Sequence, residues 1–113
     1  MAKMELLQGT LEGLILKALS WRALHGYAVA RWIKAASQEV FQIEEGALYP
    51  ALHRMEQKGW VESEWGLSEN NRRAKFYQLT TRGRQALKKE RAAWNRYATA
   101  VARVFDSPRE ATS

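Results

Sequence analysis

Arg72, Arg73 and Lys75 follow directly on a run of turn-forming residues, Gly66-Leu-Ser-Glu-Asn-Asn71. Guanidinium groups at an exposed turn suit phosphate, because they are permanently charged, planar and donate several hydrogen bonds at once. Across the chain 18 Lys and Arg outnumber 12 Asp and Glu, a net charge of +6. The excess is not spread evenly. Residues 68–91 hold Arg72, Arg73, Lys75, Arg82, Arg84, Lys88, Lys89 and Arg91 against only Glu69 and Glu90, so the whole surplus lies in this segment. A localised basic patch is the footprint of a polyanion binder. Charge alone leaves a plain solvated basic surface equally open.

Other chemistries are poorly supplied. The only histidines are His25 and His53, and there is no cysteine, so neither a metal site nor a disulfide framework is expected. No nucleophile–base pair or phosphate-cradling loop stands out, so the chain reads as a non-enzyme without a cofactor. No stretch is long and apolar enough for a signal-peptide core or a membrane span, and a cytoplasmic location is expected. At 113 residues and 46% hydrophobic, with five Trp, the sequence suits one packed domain.

The basic segment needs elements to place it. Thr10 is a good N-cap for a first helix whose apolar face is Leu11, Leu14, Ile15, Ala18 and Leu19. Trp21–Gly26 breaks the pattern and reads as a turn. A second helix spans about Gly26–Ser37, with Val29, Ala30 and Ile33 inward. Val40–Ile43 is short and β-prone, and suits a small strand. A third helix covers about Glu45–Lys58, buries Leu48, Ala51, Leu52 and Met55, and stops at Gly59. Pro50 is best tolerated near a first turn, which moves the expected start to Gly46 or Ala47.

The period then changes. Trp60–Trp65 and Ala74–Leu79 suit two strands of a hairpin, with Gly66–Arg73 between them. Thr80 or Thr81 caps a long helix reaching about Phe105, in which Gly83 costs little. Leu87, Trp94 and Val101 recur every seven residues, and Tyr97 or Ala98, then Val104 or Phe105, fill the intervening seam. Such a stripe predicts pairing with a second copy.

Three helices followed by a hairpin make a winged helix-turn-helix, so the expected fold is mainly α with a small β-hairpin and a long C-terminal dimerisation helix. The expected division is a DNA-binding domain over 1–79, the dimerisation helix over 80–106 and a flexible tail over 107–113. The third helix then faces a major groove, with Ala47, Tyr49, His53 and Arg54 as candidate DNA contacts. Asn71, Arg72, Arg73 and Lys75 fall on the wing. Pairing of Arg73 and Lys75 with Glu62 or Glu64 across the hairpin is the competing reading of those two cations. Tyr27, at the start of the second helix, is either a phosphate contact or a half-buried core tyrosine. The rival to a DNA reader is a winged-helix module that binds protein.

Three segments carry a family resemblance: Leu11-Glu-Gly-Leu-Ile-Leu-Lys-Ala-Leu19, the step His25-Gly-Tyr27, and Glu45-Gly-Ala-Leu-Tyr-Pro-Ala-Leu-His-Arg-Met-Glu-Gln-Lys-Gly-Trp60. Together with Trp65-Gly-Leu-Ser-Glu-Asn-Asn-Arg-Arg-Ala-Lys-Phe-Tyr-Gln-Leu-Thr80, they resemble the PadR family of bacterial transcriptional regulators over about residues 6–84. The resemblance implies a repressor that binds double-stranded DNA as a homodimer joined through the last helix, in a short subgroup with one helix after the wing. It also implies that Trp94 could line a pocket for a small aromatic effector. Plain dimer packing is the other reading of Trp94.

Overall fold

The computed structural model describes residues 4, 6, 7 and 9–112. The remaining positions at the start of the expected DNA-binding domain, and Ser113 of the expected tail, lie outside the described residues. Along the chain run α1 (Leu11–Ala18), β1 (Leu24–His25), α2 (Gly26–Ala36), α3 (Glu45–Gln57), β2 (Val61–Leu67), β3 (Arg73–Leu79), α4 (Thr81–Asp106) and a short 3-10 turn (Arg109–Thr112).

The core forms where the apolar faces of three helices meet the sheet. Ile15, Leu16 and Leu19 from α1 and its end, Val29 and Ile33 from α2, and Leu48, Ala51, Leu52 and Met55 from α3 are buried together with Val61, Tyr77 and Leu79. The apolar stripe expected for α3 is therefore the observed one. Thr10 precedes α1 as expected, but its side chain makes no capping bond. At the other end of α3, Gly59 has φ +76°, the Gly59 N–H donates to the Glu56 carbonyl and the Trp60 N–H to that of Met55. This is a Schellman stop, and glycine adopts its left-handed residue without a Cβ penalty.

Three expectations are corrected. Val40–Ile43 is not a strand: Phe41 and Ile43 pack against the core from an irregular segment, and the Phe41 N–H donates to Ser37 Oγ. Trp21–Gly26 is not simply a turn, because Leu24 and His25 pair antiparallel with Tyr77 and Phe76. The hairpin thus belongs to a three-stranded sheet of order β1-β3-β2. Helix α3 begins at Glu45, earlier than Pro50 suggested. The proline leaves the Gly46 carbonyl without its helical donor, but Gly46 is exposed and water can take that role.

Helix α4 starts as part of this body and leaves it. Thr80 caps it, its hydroxyl accepting from the Gly83 N–H at 3.1 Å, and Gly83 and Ala86 are buried. Leu87 is half-buried against the core. The helix then continues outward, and the molecule measures 62 × 33 × 22 Å. At 1.5 Å per residue, 26 residues extend about 39 Å.

Candidate nucleic-acid interface

The buried stripe of α3 leaves Gly46, Pro50, His53 and Gln57 on the opposite face, all exposed. This is the solvent-facing side of the helix. His53 lies at its centre, whereas the other expected contacts divide between the flanks. Ala47 and Arg54 lie on one side and Tyr49 on the other. Gln57 was missed as a candidate. Its spacing from Gly46, Pro50 and His53, opposite Leu48, Leu52 and Met55, is the signal that places it.

Each flank is tied down. Arg54 Nε donates to Glu12 Oε2 at 3.1 Å, and Lys58 Nζ to Glu12 Oε1 at 2.8 Å. Arg54 is therefore held against α1 in the free protein and does not project with His53. Burial alone would raise the Glu12 pKa, but the hydrogen bonds and charges of Lys58 and Arg54 outweigh it, leaving the carboxyl below its usual 4.5. A depressed folded-state pKa stabilises the fold above the usual carboxylate range, and that contribution fades as pH falls through the folded-state value. Glu12→Gln is expected to cost about 1 kcal/mol at neutral pH. Urea unfolding curves of the two proteins should converge in acid; a gap independent of pH would rule out the ion pairs as its source.

On the opposite flank, the Tyr49 ring lies against Gly26, where a Cβ would come within 2.7 Å of it. Burial, then the Glu45 carboxylate, pushes the Tyr49 hydroxyl above its usual 10.0. Gly26 is thus required so that the third helix can press a tyrosine onto the start of the second. Glu56 on the same flank accepts from Ser63 Oγ at 2.7 Å and faces Lys75 Nζ at 3.9 Å. Lys75 therefore pairs with α3, not with Glu62 or Glu64 as the sequence suggested.

The wing turn is closed by hydrogen bonds from the Asn71 N–H to the Ser68 carbonyl and from the Ser68 N–H to the Arg72 carbonyl. Asn71 has φ 60°, a left-handed conformation that asparagine tolerates better than most residues. Its position is thus explained by turn geometry alone. Arg73 lies over the Trp65 ring at 4.6 Å, a cation–π contact rather than the carboxylate pair of the competing reading. Arg72 is exposed and has no ion-pair partner among the described residues.

Tyr27 is exposed, with the Arg31 guanidinium 5.1 Å from its ring, so it is not a half-buried core tyrosine. His25 beside it is buried and caps α2, its Nδ1 accepting from the Ala28 N–H at 3.2 Å. On α4, Trp94, Tyr97 and Phe105 are exposed, and the Trp94 and Tyr97 rings lie 6.0 Å apart. Ala98 and Val101 are partly sheltered. Leu87, grouped with these by its spacing, is instead used inside the protomer. Among the described residues no group of His, Asp or Glu could hold a metal ion, and no helix is long and apolar enough to cross a membrane.

A helix with a free polar face, braced by a second helix and flanked by a hairpin with arginines at its tip, defines a winged helix-turn-helix protein. The model of the transcriptional regulator PadR-like family matches residues 15–89. The chain belongs to this family and is a transcriptional regulator of the DNA-binding, winged-helix kind. Solved structures agree. A transcriptional regulator from Clostridium thermocellum is 26% identical, with TM-score 0.77 over 85% of this chain and 93% of that one. A PadR-like transcriptional regulator from Bacillus cereus is 26% identical, with TM-score 0.75 and coverage of 89% and 96%. A PadR family transcription regulator from Clostridium difficile is 30% identical, with TM-score 0.70 and coverage of 88% and 100%.

Proposed function

We propose that the protein is a homodimeric repressor that binds a pseudo-palindromic operator through α3 and the wing. The single observation that carries this reading is Arg72. It stands exposed and unpaired among the described residues, at the tight turn of a hairpin that packs on the flank of α3 through Glu56. Arg72 contacts backbone phosphate, His53 and Gln57 face the groove floor, and Arg73, Asn71 and Tyr27 line the approach. Arg54 and Lys75 join after exchanging a carboxylate for a phosphate. Ala47 adds an apolar contact at the flank. Two-fold pairing of α4 sets half-sites about one helical turn apart, or a multiple of that. The exposed pair Trp94 and Tyr97 offers a stacking surface for a flat aromatic effector, and the 80–106 helix would carry its signal to the reading heads.

The test is selection from random duplexes with the full chain, with Arg72→Ala/Arg73→Ala as control. An inverted repeat is expected. With about six phosphates neutralised per dimer, log affinity falls with log salt at a slope of about −5. If one phosphate contact per protomer is lost in the double variant, the slope shrinks by about 2 and affinity at 0.15 M salt drops about thirtyfold. Sequence-blind binding that survives the substitutions would turn the reading toward a protein-binding winged helix.

A further inference from the structure

The wing tip carries an acid where a DNA-binding surface would be expected to avoid one. Glu69 is the only carboxylate between Glu64 and Glu90 in the chain. Its Oε1 lies 3.3 Å from Arg31 Nη2, and its Oε2 3.8 Å from His25 Nε2. The contact is made between the wing loop and the first turns of α2, far apart in sequence.

His25 makes this spot more than a helix end. The residue is 8% exposed, and its Nδ1 is occupied as the acceptor of the Ala28 N–H. In the neutral ring the proton must then be on Nε2. That atom is buried and has no hydrogen-bond partner among the described residues, since Glu69 stands beyond bonding reach. A buried donor aimed at an anion that does not reach it indicates a site whose proper occupant is different. Arg31 supplies the positive charge, and Tyr27 walls the opening: its ring stacks on His25 at 6.4 Å and holds the guanidinium from below. The tetrahedral oxygens of a phosphodiester can meet a guanidinium and an N–H together. The resident carboxylate is easily exchanged, because Arg31 and Glu69 are both exposed and such pairs are weak and screened.

We propose that His25 Nε2 and Arg31, walled by Tyr27, form a site for a DNA backbone phosphate, and that Glu69 of the wing occupies it in the free protein and leaves when duplex binds. This rests on the DNA-binding reading above and adds a competitor to it. Glu69 lies three residues before Arg72, so its release and the engagement of the wing arginine are movements of one short loop. Affinity is thereby set below what the cations alone would give.

Full-length wild type, Glu69→Gln and Glu69→Gln/Arg31→Met are titrated with the selected operator and with a random duplex across a salt series. Glu69→Gln is expected to bind both duplexes about tenfold tighter per dimer at 0.15 M salt, since two exposed ion pairs no longer have to be broken. Adding Arg31→Met, which keeps the apolar stem, should remove that gain. Thermal midpoints are compared as a control, since both side chains are exposed. Unchanged or weaker binding by Glu69→Gln would overturn the proposal and make Glu69 a strut of the wing. A gain that persists without Arg31 would also overturn it, reducing Glu69 to general repulsion. Failure of the wild type to bind either duplex would overturn the DNA-binding reading itself, and this site with it.

Discussion

Gly83→Ala is expected to lower the stability of the fold by about 3 kcal/mol. By helix propensity alone the change should help, by about 1 kcal/mol, because Gly83 lies in the first turn of α4. Contact decides otherwise. A Cβ at this position would lie 2.0 Å from the Trp60 carbonyl oxygen, which is backbone and cannot rotate away. The same carbonyl accepts the Thr80 N–H at 3.1 Å, and the Thr80 hydroxyl donates to the Gly59 carbonyl and accepts from the Gly83 N–H. Relief of the overlap must move the start of α4 away from the start of β2, which loosens the backbone bond and the helix cap together. Each is worth about 1 kcal/mol, and overpacking of this kind adds about 1–3 kcal/mol. Urea unfolding at one fixed protein concentration measures the difference, since dimerisation would make stability concentration-dependent. A stabilised Gly83→Ala would mean that the close approach of α4 to the sheet is not native.

That glycine also shows where reading the sequence runs out. Gly83 looked like a minor helix weakness because propensity is a local property, while its reason for being glycine is a residue 23 positions earlier. The elements with strong periodicity were legible: the stripe Leu48, Ala51, Leu52, Met55 and the stop at Gly59 are as the spacing predicts. β1 was not, since two residues cannot show an alternation and their pairing is decided by β3. Val40–Ile43 had the right residue types for a strand but pairs with none of the three strands, and Phe41 and Ile43 dock on the core instead. Within the candidate interface, sequence located the hairpin and the third helix. Which cations are free was hidden, because that depends on distant partners: Glu12 for Arg54, Glu56 for Lys75 and the Trp65 ring for Arg73.

Val101→Glu/Phe105→Glu is expected to leave the winged-helix body folded, convert the proposed dimer to monomer at micromolar concentration and weaken operator binding about a thousandfold. Gly83, Ala86 and Leu87 meet the body of their own protomer, and the same third of the helix surface continues as Trp94, Tyr97, Ala98, Val101, Val104 and Phe105. Beyond the edge of the body none of the described residues covers it: Val104 is 75% and Phe105 83% exposed. A seven-turn amphipathic helix left half uncovered exposes more contiguous apolar surface than an isolated soluble monomer usually carries. A second copy related by a two-fold axis can cover it with the identical stripe. Two carboxylates per protomer on that seam would bring four charges together out of water, which offsets the apolar gain. Once monomeric, each reading head must bind its half-site without the high effective concentration that the partner supplies, and the lost avidity is of the order of 10²–10⁴. Sedimentation equilibrium reads the assembly and operator titration reads the consequence. A variant that stays dimeric would place the interface elsewhere on the chain, and one that is monomeric yet binds as tightly would mean that one winged helix suffices.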